Sequence, residues 1–156
     1  MTVLIADISP FVAVRQFWRL WGPLVQCMPM AKRKCEKPAK AEQAQKIFEL
    51  VNNSEIEGFI AAHSIPNLFY ILRKSMDSTS LRLFLLGLCN LLTVVCIDET
   101  MMISGLQNIS FSDFEDCLQS ECAEKAGAKY IITRNTKDFV YSSIPAITPN
   151  DFFNQL

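Results

Sequence analysis

Four short apolar runs, each followed by polar residues, are spaced along this chain with helical patterns between them. They are Thr2–Ala6, Gly58–Ala62, Thr93–Ile97 and Lys129–Thr133. Each has the length of a buried strand and is rich in β-branched residues. The stretches between them place apolar side chains three and four residues apart, which is the spacing of a helix face. Ala44, Ile47, Phe48 and Val51 form one such face, and Leu68, Phe69, Ile71 and Leu72 form another. Strands that alternate with helices pair most readily in parallel, with helices covering both faces. The expected fold is therefore α/β, a central parallel sheet in one domain spanning residues 1–156.

Local signals set the expected boundaries. Ser64 is placed to cap a helix that carries Pro66 in its first turn. Arg73 and Lys74 would then fall in its last turn, where the helix dipole favours cations. A further helix is expected from about Ser80 to Leu91, and Asp98-Glu99 opens another. Ser112 and Glu115 have capping-box spacing. The helix they open runs to about Lys125 and ends at Gly127, a suitable residue for a left-handed turn. Ala146-Ile147 reads as a short last strand and Pro149–Phe153 as a terminal helix. Near the start, Pro10 to Trp21 has helical spacing, with Phe11, Val14, Phe17, Trp18 and Trp21 on one face. Gly22-Pro23 stops it. Residues 22–40 read as a loop. They include the basic run Lys32-Arg33-Lys34-Cys35-Glu36-Lys37, either a solvated surface or a contact for RNA phosphates.

Composition narrows the classes. Half of the 156 residues are hydrophobic and the net charge is −1. That favours a folded core over disorder and gives no global electrostatic sign of nucleic-acid binding. The most apolar stretch, Leu81–Ile97, is interrupted by Arg82, Gly87, Asn90 and Thr93, so it reads as a buried helix running into a strand rather than a membrane span. No basic region precedes the first apolar run, which an acid soon interrupts, unlike a signal peptide. Six cysteines without a C-x-x-C pair, and one histidine, argue against structural zinc. Cys89, Cys96, Cys117 and Cys122 read as small core residues in a reducing, cytoplasmic setting.

In an open parallel sheet, ligands bind beyond the carboxyl ends of the strands. Asp7 follows the first strand. Thr133, Arg134, Asn135 and Asp138 follow the fourth. Asp113 and Asp116 begin the helix before that strand, and Asn67 lies early in the helix after the second. Carboxylates gathered there repel one another unless a cation joins them. Hard oxygen donors suit Mg²⁺ or Mn²⁺, which assist phosphodiester hydrolysis. The plainer reading is that Asp113 and Glu115 favour their helix N-terminus and that Asp138 caps a turn. His63, beside Ser64, reads as structural or surface rather than as a general base.

The stretch Asp113–Phe139 resembles the PIN-domain family, especially the small VapC-type toxin ribonucleases. An aspartate opens a helix (Asp116), an alanine follows seven residues later (Ala123), and a glycine ends the helix (Gly127). Thr133-Arg134-Asn135 and Asp138-Phe139 close the motif. The segments Lys46–Val51, Glu55–Ile60 and Asn67–Lys74 are also similar to the family, so the resemblance covers roughly residues 41–153. It implies a Mg²⁺- or Mn²⁺-dependent endoribonuclease with four acidic positions. The third falls on Asp116 and the fourth on Asp138, accompanied by Asn135. Asp113 is a further contributor to the metal. Asp7 fits the first. Asn67 stands at the second, where the family carries an acid, so metal binding is expected to be weaker. Residues 8–40 are atypical of the family, as an insertion or an altered segment would be. The resemblance also implies an RNA substrate, a small antitoxin partner and a homodimer. Two other classes compete. One is a catalytically degenerate PIN-fold module that acts by binding RNA or protein. The other is a phosphoryl-transfer receiver with Asp7 as acceptor, which lacks the paired acids expected after strand one.

Overall fold

The computed structural model describes residues 1–6 and 38–156. The first strand, β1 (Thr2–Ile5), is paired on both sides, and its Val3 and Leu4 are fully buried. After it come α1 (Pro38–Asn52), β2 (Glu57–Ala61), α2 (Ser64–Leu72) and α3 (Ser78–Leu91). Next are β3 (Thr93–Val95), α4 (Glu99–Gln107), α5 (Phe114–Lys125), β4 (Tyr130–Ile132), a single 3₁₀ turn (Thr136–Phe139), β5 (Ala146–Ile147) and α6 (Pro149–Phe153). The five strands form one sheet in the order β3-β2-β1-β4-β5, and every pairing is parallel. The fold is the expected α/β arrangement.

Side chains alternate across the sheet, as the two-residue period of a strand requires. Val3, Ile5, Ile60 and Ile132 point into a core made with α1, α2, α3 and α6, where Phe48, Leu68, Leu81, Phe84 and Phe152 are buried. Leu4, Ala6, Ala61 and Ile131 point the other way, into a core with Met101, Cys122, Ala123 and Phe139. Helices cover both faces, which is why these strands read as continuous apolar runs. Gly58 lets β2 approach its neighbours closely. A Cβ there would lie 2.6 Å from Leu92 Cδ2 and 2.9 Å from Val51 Cγ2.

Several boundaries differ from the expected ones. Helix α1 begins at Pro38, inside the segment read as a loop. Ser64 is the first residue of α2 rather than its cap, and its Oγ makes no hydrogen bond among the described residues. Arg73 caps the C-terminus of α2, with Lys74 beyond the helix. The capping box at Ser112 does not form. Asp113 takes the cap position, and its Oδ1 accepts from Glu115 N at 2.7 Å. Aspartate is at least as good a cap as serine, and it starts the helix one residue later. Asp77 and Asp98 cap α3 and α4 in the same way. Gly127 adopts φ +62°, the left-handed turn expected of it.

The apolar stretch 81–97 divides between buried α3 and strand β3. No helix among the described residues is long and apolar enough to cross a membrane. Cys117 and Cys122 are core residues as expected, whereas Cys89 is half-buried and Cys96 is exposed, just beyond the end of β3. The expected helix of Pro10–Trp21, the basic run 32–37 and Asp7 lie outside the described residues.

Candidate active site

From β1 the chain moves outward to β2 and β3. It then crosses back to β4 and β5 on the other side of β1. The strand order therefore reverses between β1 and β4, and an open sheet leaves a crevice at the carboxyl ends of such a pair. A cavity of about 340 Å³ lies there. Ala6 closes it from the end of β1. Thr133, Arg134 and Asn135 enter from the end of β4, and Asp138 and Phe139 from the turn that follows. Asp113, Glu115, Asp116 and Gln119 come from the start of α5, and Ser64, Asn67, Leu68 and Ile71 from α2.

The local geometry follows from the backbone. Thr133 is almost fully buried, and its Oγ1 accepts from Asn135 N at 3.1 Å, folding the chain back at the end of β4. Asn135 Nδ2 donates to Asp138 Oδ2 and holds that carboxylate against the turn. Buried Phe139 anchors the same turn in the core. The hydrogen bond from Glu115 N to Asp113 fixes the first turn of α5. It sets Asp116 in the second half of that turn, facing the cavity. Two helices thus present their N-terminal turns to one crevice, and both favour negative charge there.

Asn67, Asp113, Asp116, Asn135 and Asp138, read from the sequence as site residues, all border this cavity. The sixth, Asp7, directly follows Ala6 and lies outside the described residues. Four acidic residues line the cavity, Asp113, Glu115, Asp116 and Asp138, together with Arg134. Arg134, named in the sequence among the residues that follow the fourth strand, shares the pocket with these acids. Gln119 was missed altogether. It stands three residues after Asp116, hence on the same side of α5, and that spacing could have found it.

Among the described residues, no group of three from His, Cys, Asp and Glu is close enough to hold a metal ion. The oxygen donors that do border the cavity are carboxylates and side-chain amides, the hard set that suits Mg²⁺ or Mn²⁺. Their net negative charge is also what a divalent cation would offset. The donor chemistry therefore fits such an ion, with Asp116 and Asp138 as the carboxylates and Asn67 as a neutral oxygen donor.

His63 does not border the cavity. Both of its ring nitrogens are shut off from solvent and have no hydrogen-bond partner among the described residues. Burial pushes its pKa below the usual 6.5, against the pull of the nearby Glu115 carboxylate and backbone. Folded His63 thus binds a proton less readily than unfolded His63. The resulting stability is present above the unfolded value and is lost as pH falls below it through the folded value. His63 is the sole histidine of the chain, so it dominates titration in this window. Melting temperature is expected to fall as pH drops below about 6.5, and His63→Gln is expected to flatten that slope. An equal slope in both proteins would place the titrating group elsewhere.

A family model described as PIN domain matches residues 34–137, two thirds of the chain. The chain belongs to the PIN domain family. PIN domains are typically nucleases and generally use divalent metal ions. The match includes Asn67, Asp113, Asp116 and Asn135 and stops one residue short of Asp138. No curated protein and no solved structure matches the chain.

Proposed function

We propose that the crevice between β1 and β4 is the active centre of a metal-dependent endoribonuclease of the VapC toxin type, which hydrolyses RNA phosphodiester bonds. The observation that carries this reading is the convergence of Asp116, Asp138, Asn67 and Asn135 at the point where the strand order reverses. Asp116 and Asp138 would hold Mg²⁺ or Mn²⁺, with Asp113 nearby and Asp7 a further candidate ligand. The ion would supply Lewis acidity toward the phosphodiester and make a water easier to ionise. The chain's own groups do the rest. Asn135 keeps the Asp138 carboxylate oriented. Arg134 offers positive charge to an RNA phosphate at the cavity edge. Leu68 and Ile71 give the crevice an apolar wall. A small antitoxin, a homodimer and a cytoplasmic setting belong to the same proposal and rest on the resemblance to VapC-type toxins.

A second reading is a catalytically degenerate module that works by binding RNA or protein. It is favoured by the neutral Asn67 at an acidic position and by the lack of a three-acid group among the described residues. A thermal titration with Mn²⁺ separates the two. A ligand that binds only the folded state stabilises it by about 2.7 kcal/mol at a hundred times its dissociation constant. The nuclease reading expects melting temperature to rise with Mn²⁺ in the wild type and not in Asp116→Asn. Equal curves for the two proteins would favour the degenerate module.

A further inference from the structure

The side of α2 that borders the crevice continues outward past the cavity. Asn67 and Ile71 line the cavity itself. Residues three apart on a helix are neighbours, with Cβ atoms about 5–6 Å apart. Tyr70 is therefore the neighbour of Asn67, and Arg73 is the neighbour of Tyr70. Tyr70 is 60% exposed, and the Arg73 guanidinium lies over its ring, 4.1 Å from the centroid. From α3, Arg82 stands 5.8 Å from the ring centroid of Phe69, the residue before Tyr70. Arg73, Lys74 and Arg82 are all exposed.

A tyrosine this exposed adds little to the core. The charge around it has a definite sign. Residues 64–97 contain these three cations and a single acid, Asp77, whose Oδ1 accepts from Ser80 N at 3.0 Å as the cap of α3. The crevice beside them is lined by four acidic residues. Positive charge thus stands just outside a negative cavity. A nucleic-acid strand suits both features, because its phosphates are drawn to cations and its bases stack on exposed aromatic rings and guanidinium planes. With Arg73 on one face of the Tyr70 ring, the other face is left for a base. A second copy of the chain suits them less well. A two-fold contact through this patch would set the same cations against each other.

We propose that Tyr70 and Arg73 form a nucleotide subsite beside the crevice, where Tyr70 stacks a base of a single RNA strand and Arg73, Lys74 and Arg82 hold its phosphates. The assignment rests on the reading of the crevice as a ribonuclease centre, and its test is separable from that reading. The probes are a labelled ten-nucleotide strand of uridine and a strand of equal length built from abasic spacers. Binding to wild type, Tyr70→Ala, Tyr70→Phe and Arg73→Gln is read by fluorescence anisotropy in Ca²⁺ over a series of salt concentrations, with gels to confirm intact strand and melting curves to confirm folding. Wild type is expected to prefer the uridine strand. Tyr70→Ala should weaken binding of that strand by at least about fivefold and leave the abasic strand nearly unaffected, while Tyr70→Phe keeps the wild-type preference. Arg73→Gln should weaken both strands and reduce the slope of log affinity against log salt by about 0.7, the share of one phosphate contact. The proposal is overturned if wild type binds neither strand, if Tyr70→Ala keeps the preference for bases, or if Arg73→Gln keeps the wild-type salt slope. Variants that change the oligomeric state in gel filtration and not strand affinity would give this face to a second copy instead. Cleavage in Mn²⁺ is scored separately. Absence of cleavage by every protein sinks the nuclease reading and leaves the binding series to decide this one.

Discussion

Asp116→Ala is expected to lower Mn²⁺-dependent cleavage of a mixed tRNA pool by more than about a hundredfold. Residues that merely stand behind metal ligands are worth about ten- to a hundredfold, and Asp116 is placed at the cavity itself. The fold should tolerate the change well. Asp116 is half-buried rather than a core residue, and removing it also relieves repulsion from Asp113, Glu115 and Asp138. Asp7→Ala is expected to behave alike if the carboxylate that follows β1 joins the same site. Loss with Asp116→Ala but not with Asp7→Ala would remove Asp7 from the ligand set. Equal activity in all three proteins would point to a contaminating nuclease and favour the binding module.

Asn67→Glu should act in the opposite direction. Asn67 borders the cavity from the first half of α2 and brings an oxygen without charge. A glutamate there adds an anionic donor where the N-terminus of α2 favours one. A contact with a charged group is worth about 1.5 kcal/mol or more, so Mn²⁺ affinity measured by calorimetry is expected to improve by about tenfold. Cleavage should quicken alongside it. Unchanged or weaker binding would mean that Asn67 does not occupy the vacant acidic position.

Much of the sheet was legible because its strands are covered on both faces. Thr2–Ile5 and Tyr130–Ile132 have almost no polar residues to blur their pattern, and both pair at the centre. The second and third strands were also visible, though their ends were read too long, since Ala62, Cys96 and Ile97 are apolar residues beyond the last pairing. Apolar character marks burial rather than strand pairing. The start of α1 was lost for a related reason. Pro38 suggested a loop, yet proline is tolerated in the first turn of a helix.

The site was partly legible. Asp116, Asn135 and Asp138 could be read because strand, turn and helix place them at one sheet edge whatever the packing. Asp113 was read both as a cap and as a site residue, and it takes the cap position while bordering the cavity. Ser64 was assigned to the helix end by its residue type alone. Its hydroxyl is instead among the unpartnered atoms of the buried wall, and only packing of α2 against the sheet decides that. Gln119 looked like an ordinary polar residue inside a helix. Its burial depends on contacts of α5 with the sheet and with the turn after β4, which no local pattern encodes. Net charge was equally silent, since the four acids of the crevice are a minority of the chain's 16, which 15 lysines and arginines offset.

The central claim is that the crevice between β1 and β4 holds a divalent metal. Crystals grown from the full chain and soaked in Mn²⁺ test it most directly through an anomalous difference map. The expected result is a peak between the carboxylates of Asp116 and Asp138, within about 2.0–2.6 Å of the ligating oxygens, that disappears in Asp116→Asn. A crevice without a peak, or a peak elsewhere on the molecule with these carboxylates dispersed, would contradict the account.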